Sequence, residues 1–147
     1  MLIQFLIASI IVVINTMIHA GGMAIGLNLF IMVHEKRLAM ASMMTRSLVI
    51  GGLVLVMFVT TLVEASVWAS TYIVLGAIPE FEKALYFSTV TYTTLGYGDI
   101  VLEDRWRLLS SFEAANGIIM FGWTTALINV AINQVSQSLS KIKTLDG

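Results

Sequence analysis

One stretch near the middle of the chain reads TVTYTTLGYGDI, Thr89 to Ile100. Gly96 and Gly98 stand one residue apart there, among threonine, tyrosine and aspartate. Glycine adopts left-handed backbone at little steric cost, so this segment is built to leave regular helix. Its flanks are long apolar runs. Non-helical backbone in such surroundings is tolerated only where protein buries it or a watery cavity uses it. Two carboxyl groups also sit inside apolar runs, Glu64 and Glu113. An ionisable group in mid-membrane finds a partner or protonates. Asn15, Thr16 and His19 lie at a depth similar to that of Glu64, so pairing of Glu64 with His19 or Asn15, or its protonation, is expected. His34-Glu35 does not begin an HExxH metal site, because position 38 is leucine. The sequence contains no nucleophile triad, phosphate-binding loop or metal-ligand cluster, and an enzyme is not expected.

The elements that must position these groups follow from composition. The chain has 147 residues, of which 58% are hydrophobic and 12% charged, with mean hydropathy +0.91. Soluble domains carry about 25% charged residues. This chain has too little polar material to coat a wet surface, and the membrane class is favoured. A net charge of −1 gives no reason to expect nucleic acid. The absence of cysteine rules out a disulfide framework. The N-terminal run lacks a basic leader and is read as a retained span.

Three apolar runs, 2–33, 48–75 and 108–135, each exceed the ~20 residues needed to cross a bilayer. The first is read as one span with a bend allowed at Gly21-Gly22. Lys36, Arg37 and Arg46 lie between runs one and two, and Lys141 and Lys143 follow run three. Lys83, Arg105 and Arg107 lie between runs two and three. Five basic residues against three put the first set in the cytoplasm. The N-terminus is then extracellular, the C-terminus cytoplasmic and segment 80–107 external. Pro79, Glu80 and Glu82 suit the first turn of a short helix, too short to span, so its loop enters and leaves on one face. Gly26 and Gly52 come at similar depth, and close packing of the first two helices there is expected.

A short proline-started helix followed by TTLGYGD resembles the pore loop of potassium channels. The family signature is Thr-Val/Ile-Gly-Tyr/Phe-Gly, and here Leu95 takes the second place. Together with the three apolar runs, the resemblance implies an all-α membrane protein: three transmembrane helices per chain, the last two forming a pore unit with a re-entrant pore helix and a selectivity filter, assembled as a four-fold homotetramer. To strip water from an ion a pore must offer replacement oxygens. Successive carbonyls face one axis only if the chain alternates ordinary and left-handed residues, for which Gly96 and Gly98 are spaced. Potassium is then the permeant ligand at Thr94, Leu95, Gly96 and Tyr97, with Gly98 closing the filter and the Thr94 hydroxyl adding oxygens at the inner end. Leu95 and Tyr97 are expected to point away from the axis and pack. Asp99, Glu113 and Thr93 are expected to support the filter, Glu113 through Thr91 or Thr93, or else beside Asn116.

The stretch ANGIIMFGWTTALI is similar to the inner helix of the simplest bacterial members. By that match Gly117 is the hinge candidate, with close packing equally open, and Gly122 is a packing position. Ile118, Phe121, Thr125, Asn129 and Asn133 are implied to line the pore. The last four repeat every four residues, one side of a helix. Two features depart from the family. The pore-helix glutamate that holds the aspartate after the filter is replaced by Val90, which leaves Asp99 without that partner. Tyr86-Phe87 stand where paired tryptophans are common.

The expected organisation is an extra N-terminal helix with a cytoplasmic loop over 1–46, a pore domain over 47–136 and a short cytoplasmic tail over 137–147. Within the pore domain the outer helix covers 47–76, the pore helix 79–93, the filter 94–98 and the inner helix 107–135. The resemblance covers about residues 48–135. The function it implies is passive conduction of potassium across the cell membrane, with membrane lipids and three further copies of the chain as partners and no cofactor. A weakly selective cation channel and a non-conducting membrane scaffold are the alternatives. The external segment carries five acids and three bases, a field that concentrates cations when repeated around an axis. No regularly spaced arginine series for voltage sensing is present.

Overall fold

The computed structural model describes the backbone of residues 1–37 and 43–143, and side chains over 1–32 and 44–137. The expected loop at 38–42 and the end of the expected tail, 144–147, lie outside the described residues. Four helices follow in order: α1, Leu2–Arg37; α2, Met43–Val74; α3, Phe81–Tyr92; and α4, Arg107–Lys143. No β-strand occurs among the described residues. Leu2–Met32, Met44–Val74 and Arg107–Gln137 are long and apolar enough to cross a membrane. The chain is an all-helical protein with three membrane-spanning candidates per copy.

Helix is the form a single apolar run must take in hydrocarbon, because every backbone polar group finds its partner within the segment. That requirement carries α1 through Gly21-Gly22 without interruption. Helix α4 continues to Lys143, past the expected end at 135 and into the expected tail. Where water or protein can take over, the helices stop on specific residues. Gly76, at φ 67°, ends α2. Its N–H donates to Ile73 O at 2.9 Å, and the Ala77 N–H donates to Tyr72 O at 2.9 Å, the paired pattern of a Schellman cap.

The described chain divides into two compact units, and α1, α2 and α4 each supply residues to both. The first unit joins Met1–His19 to Thr60–Gly122. Its core is Trp68, Tyr72, Tyr92, Leu109 and Met120, with Ala8 and Ile11 of α1. Between membrane-spanning helices such a core is held by close van der Waals packing and interhelical hydrogen bonds, because lipid is as apolar as the side chains it would replace. Stacking of Trp68 on Tyr72 and the edge-on contact of Tyr72 with Phe87, centroids 5.2 Å apart, give the core its geometry. At one end Gln4 donates its side-chain amide to the Arg105 carbonyl. The second unit joins Ala20–Val59 to Trp123–Gly147, and its core is Phe30, Leu53, Met57, Leu127, Ala131 and Val135. Here Gly26 fits because a side chain would not: a Cβ on it would lie 2.6 Å from Leu53 Cδ1. Gly52 is not its partner, since a Cβ there would meet nothing within 4 Å. The helices approach through a glycine against a leucine rather than glycine against glycine.

Candidate functional site

Helix α3 and the glycine-spaced loop that follows it lie in the first unit. The helix begins at Phe81, two residues later than expected, because Glu80 takes extended backbone (φ −87°, ψ 126°) as the N-cap. Its carbonyl accepts the Ala84 N–H at 2.9 Å. Pro79 therefore precedes the cap instead of starting the helix. At the other end Thr93 is the C-cap and donates its hydroxyl to Thr89 O at 2.8 Å. The Thr94 N–H donates to Thr91 O at 2.9 Å, and the Leu95 N–H donates to Val90 O at 2.9 Å. This is the same Schellman pairing that ends α2, but the left-handed position holds Thr94, φ 61°, where α2 has glycine. A β-branched residue is a genuine outlier there, and such strain costs on the order of 1–3 kcal/mol.

Left-handed backbone then recurs at every second residue. Gly96 has φ 53° and Gly98 has φ 76°, and Thr94 is the one non-glycine with positive φ among the described residues. Residues 93–99 are all exposed in the single chain. Leu95 and Tyr97, expected to be packed, are 55% and 66% exposed, so their own chain leaves more than half of each uncovered. Asp99 is not left alone by Val90, which is buried. Its Oδ2 accepts the Tyr86 hydroxyl at 2.8 Å. That bond, with lesser help from burial and the Asp99 charge, raises the Tyr86 pKa above the usual phenol value. The phenol therefore keeps its donor proton through mildly alkaline pH. Phe87 turns the other way, into the core against Tyr72. The adjacent pair thus splits between a polar tether and apolar packing.

Behind α3 lie both buried carboxyl groups. Glu64 Oε1 is 2.9 Å from His19 Nδ1, and Glu64 Oε2 accepts the Tyr92 hydroxyl at 2.8 Å. The pairing with His19 is one of the two expected from depth. The Asn15 amide reaches the Glu64 backbone carbonyl at 3.5 Å, whereas the Thr16 hydroxyl donates to Val12 O in its own helix. Glu113 is held differently from the expectation. Its partners are Tyr72, whose hydroxyl donates to Oε2 at 2.6 Å, and Ser88, whose hydroxyl meets Oε1. Neither Thr91 nor Thr93 reaches it. Ser88 also donates to the Ala65 carbonyl at 2.6 Å. Glu64, Glu113, His19, Tyr72, Tyr92 and Ser88 are all fully buried. Tyr72, Ser88 and Tyr92 carried no sequence signal of their own. They are polar residues in apolar helical runs, and only the helix registers bring them to the acids.

Gly117 lies within α4, which is continuous through this position. A Cβ there would collide with the Tyr92 carbonyl oxygen. Close packing is thus an observed reason for this glycine. Gly122, expected to be a packing position, has open space around it within the chain. Replacing Gly117 by alanine should cost about 1–3 kcal/mol through overpacking, seen as a lower thermal unfolding temperature in detergent, whereas Gly122→Ala should leave it unchanged. Equal temperatures for the two variants would contradict this assignment. Of the residues implied to line a pore, Ile118 is exposed in the first unit, and Thr125, Asn129 and Asn133 are exposed in the second. Phe121 differs, half-buried with its ring edge-on to Tyr92 at 6.1 Å between centroids.

A sequence model of the ion channel family matches residues 53–134, more than half of the chain. The chain belongs to this family, the two-span ion channels of potassium-channel type. It is a multi-pass membrane protein of the ion-channel class. No curated protein and no solved structure matches it. The match contains α3, the left-handed alternation, both buried acids and most of α4, and α1 lies outside it.

Proposed function

We propose that the chain is one quarter of a passive, potassium-selective channel. The observation that carries this reading is the alternation of left-handed backbone at Thr94, Gly96 and Gly98, the alternation that a loop needs if the carbonyls of Thr94, Leu95, Gly96 and Tyr97 are to face one axis. Oxygens so arranged replace the hydration shell of a dehydrated cation. The Thr94 hydroxyl adds an inner ring, and the C-terminal end of α3, the negative end of its dipole, favours a cation below it. Thr93, Asp99 and Glu113 support the loop, Asp99 through Tyr86 and Glu113 through Ser88.

One loop supplies only a fraction of a coordination shell, so four chains around an axis complete it. The exposure of Leu95 and Tyr97 in one copy fits the same arrangement, because side chains of neighbouring copies can cover them. In this reading α3 is a re-entrant pore helix, α2 the outer helix and α4 the inner helix. Ile118, Thr125, Asn129 and Asn133 line the path, Phe121 stands at its edge, and Gly117 serves as a hinge as well as a contact. The N-terminus is extracellular and the C-terminus cytoplasmic. The segment from Glu80 to Arg107 places net negative charge at the outer mouth.

Purified protein in planar bilayers tests the function. Under potassium on one side and sodium on the other, the reversal potential should approach that of potassium, and barium should block the current. A reversal potential near zero would assign a weakly selective cation pore, for which the bulk of Leu95 in the second filter place is the reason at hand. Absence of thallium flux into liposomes would leave a scaffold role. Native mass spectrometry should give four copies of the 16.1 kDa chain per particle.

A further inference from the structure

The helix that stands outside the family match is tied to the residue on which the candidate filter is built. Tyr92 is the last residue of α3, two positions before Thr94. It is held at three points. Its hydroxyl donates to Glu64 Oε2 at 2.8 Å. Its carbonyl lies against Gly117, where no Cβ fits. Its ring meets Phe121 edge-on. The first of these depends on α1, because the other oxygen of Glu64 is taken by His19 Nδ1 at 2.9 Å. His19, Glu64 and Tyr92 have no solvent exposure in the chain. A buried carboxyl group that loses one partner does not keep its geometry at no cost, since burial withholds bulk solvent as a replacement. Removing His19 therefore shifts Glu64, and through it the phenol that anchors the end of α3.

We infer that His19 and Glu64 are positioning residues for ion selectivity: through Tyr92 they fix the inner end of the filter, and α1 is thereby part of the selectivity machinery. The inference rests on the potassium-channel reading above. Ion discrimination by a carbonyl ring depends on how firmly its oxygens are held. The ring at Thr94 is reached from Tyr92 through one intervening residue, and Thr94 already sits in a conformation that threonine resists. An anchor two positions before such a residue has direct leverage on it. A purely structural cluster would lower stability when cut and leave the selectivity of the assembled channel alone. The two roles therefore separate in the ratio of potassium to sodium permeability, measured on tetramers.

The test compares wild type, Tyr92→Phe, His19→Ala and His19→Gln, each purified, checked for four copies by native mass spectrometry and recorded in bilayers with potassium opposite sodium. Tyr92→Phe keeps the ring against Phe121 and removes only the hydroxyl. Its permeability ratio should fall about tenfold, the equivalent of roughly one hydrogen bond. His19→Ala should fall similarly, and His19→Gln, which can still reach Glu64, should recover most of the ratio. A Tyr92→Phe tetramer with the wild-type ratio overturns the inference. So does failure of Tyr92→Phe to assemble, which would assign the cluster to assembly. Should His19→Ala not assemble, the Tyr92→Phe and His19→Gln results decide. A wild-type protein without potassium selectivity overturns the proposed function itself, an outcome distinct from a selective wild type with indifferent variants.

Discussion

Gly96→Ala and Gly98→Ala are expected to assemble and to conduct no potassium. Within the chain a Cβ at either position meets nothing within 4 Å, so neither substitution disturbs packing of its own fold. The obstacle is the backbone. At φ 53° and φ 76° an L side chain is strained by roughly 1–2 kcal/mol per residue. In the proposed tetramer four copies multiply that cost around one axis. The chain relieves it by returning the residue to ordinary backbone, and that rotation swings the neighbouring carbonyls off the axis. A filter that must replace several water oxygens at once loses its function when one ring turns away. Thallium flux into liposomes should fall to the level of protein-free vesicles, while native mass spectrometry still reports four chains. Wild-type flux from either variant would show that the left-handed alternation is not what conducts. Thr94 adds a contrast. It holds the same conformation without being glycine, so Thr94→Gly should relax the strain and keep conduction only if its hydroxyl is dispensable.

The largest loss of stability is expected from Glu113→Ala. The carboxyl group takes the Tyr72 hydroxyl on one oxygen and meets the Ser88 hydroxyl on the other, and all three side chains are fully buried. Truncation leaves the Tyr72 hydroxyl without an acceptor and deprives Ser88 of one of its two contacts, at about 1–3 kcal/mol for each buried group left unsatisfied. It also opens a cavity against α3, with a further cost that grows with cavity volume. Glu113→Gln keeps an acceptor oxygen and most of the volume, and should fall between Ala and wild type. Thermal unfolding of the detergent-solubilised protein gives the order directly. An alanine variant as stable as wild type would mean that the Tyr72–Glu113–Ser88 contacts do not hold α3 to α2 and α4.

How much of this was legible beforehand depends on whether a feature is local. Gly96 and Gly98 announced left-handed backbone because the absence of a Cβ is a property of the residue itself. Glu64 announced a buried partner or a proton because a carboxyl group inside an apolar span needs one, and counting depth along two helices narrowed the partner to His19 or Asn15; the helix register chose His19. The partners of Asp99 and Glu113 were not legible. Val90 stands where an acid would have signalled an answer. The residues that take its place, Tyr86 and Ser88, look like ordinary members of a helical run. The packing partner of Gly26 was misread for a related reason: depth places Gly52 opposite, but rotation of α2 about its axis turns Leu53 there instead.

The sequence by itself determined the membrane class, three spans, a short fourth helix and an irregular glycine-spaced loop. These follow from composition, run length and single-residue backbone freedom, all of which act within one segment. Only the tertiary structure decided that Thr94 joins the two glycines in left-handed backbone, that Tyr92 rather than a threonine carries the polar link behind the loop, and that α1 reaches that link through His19. Those outcomes depend on the rotation and register of helices against one another. That is set by how buried side chains fill space and satisfy hydrogen bonds across distant parts of the chain.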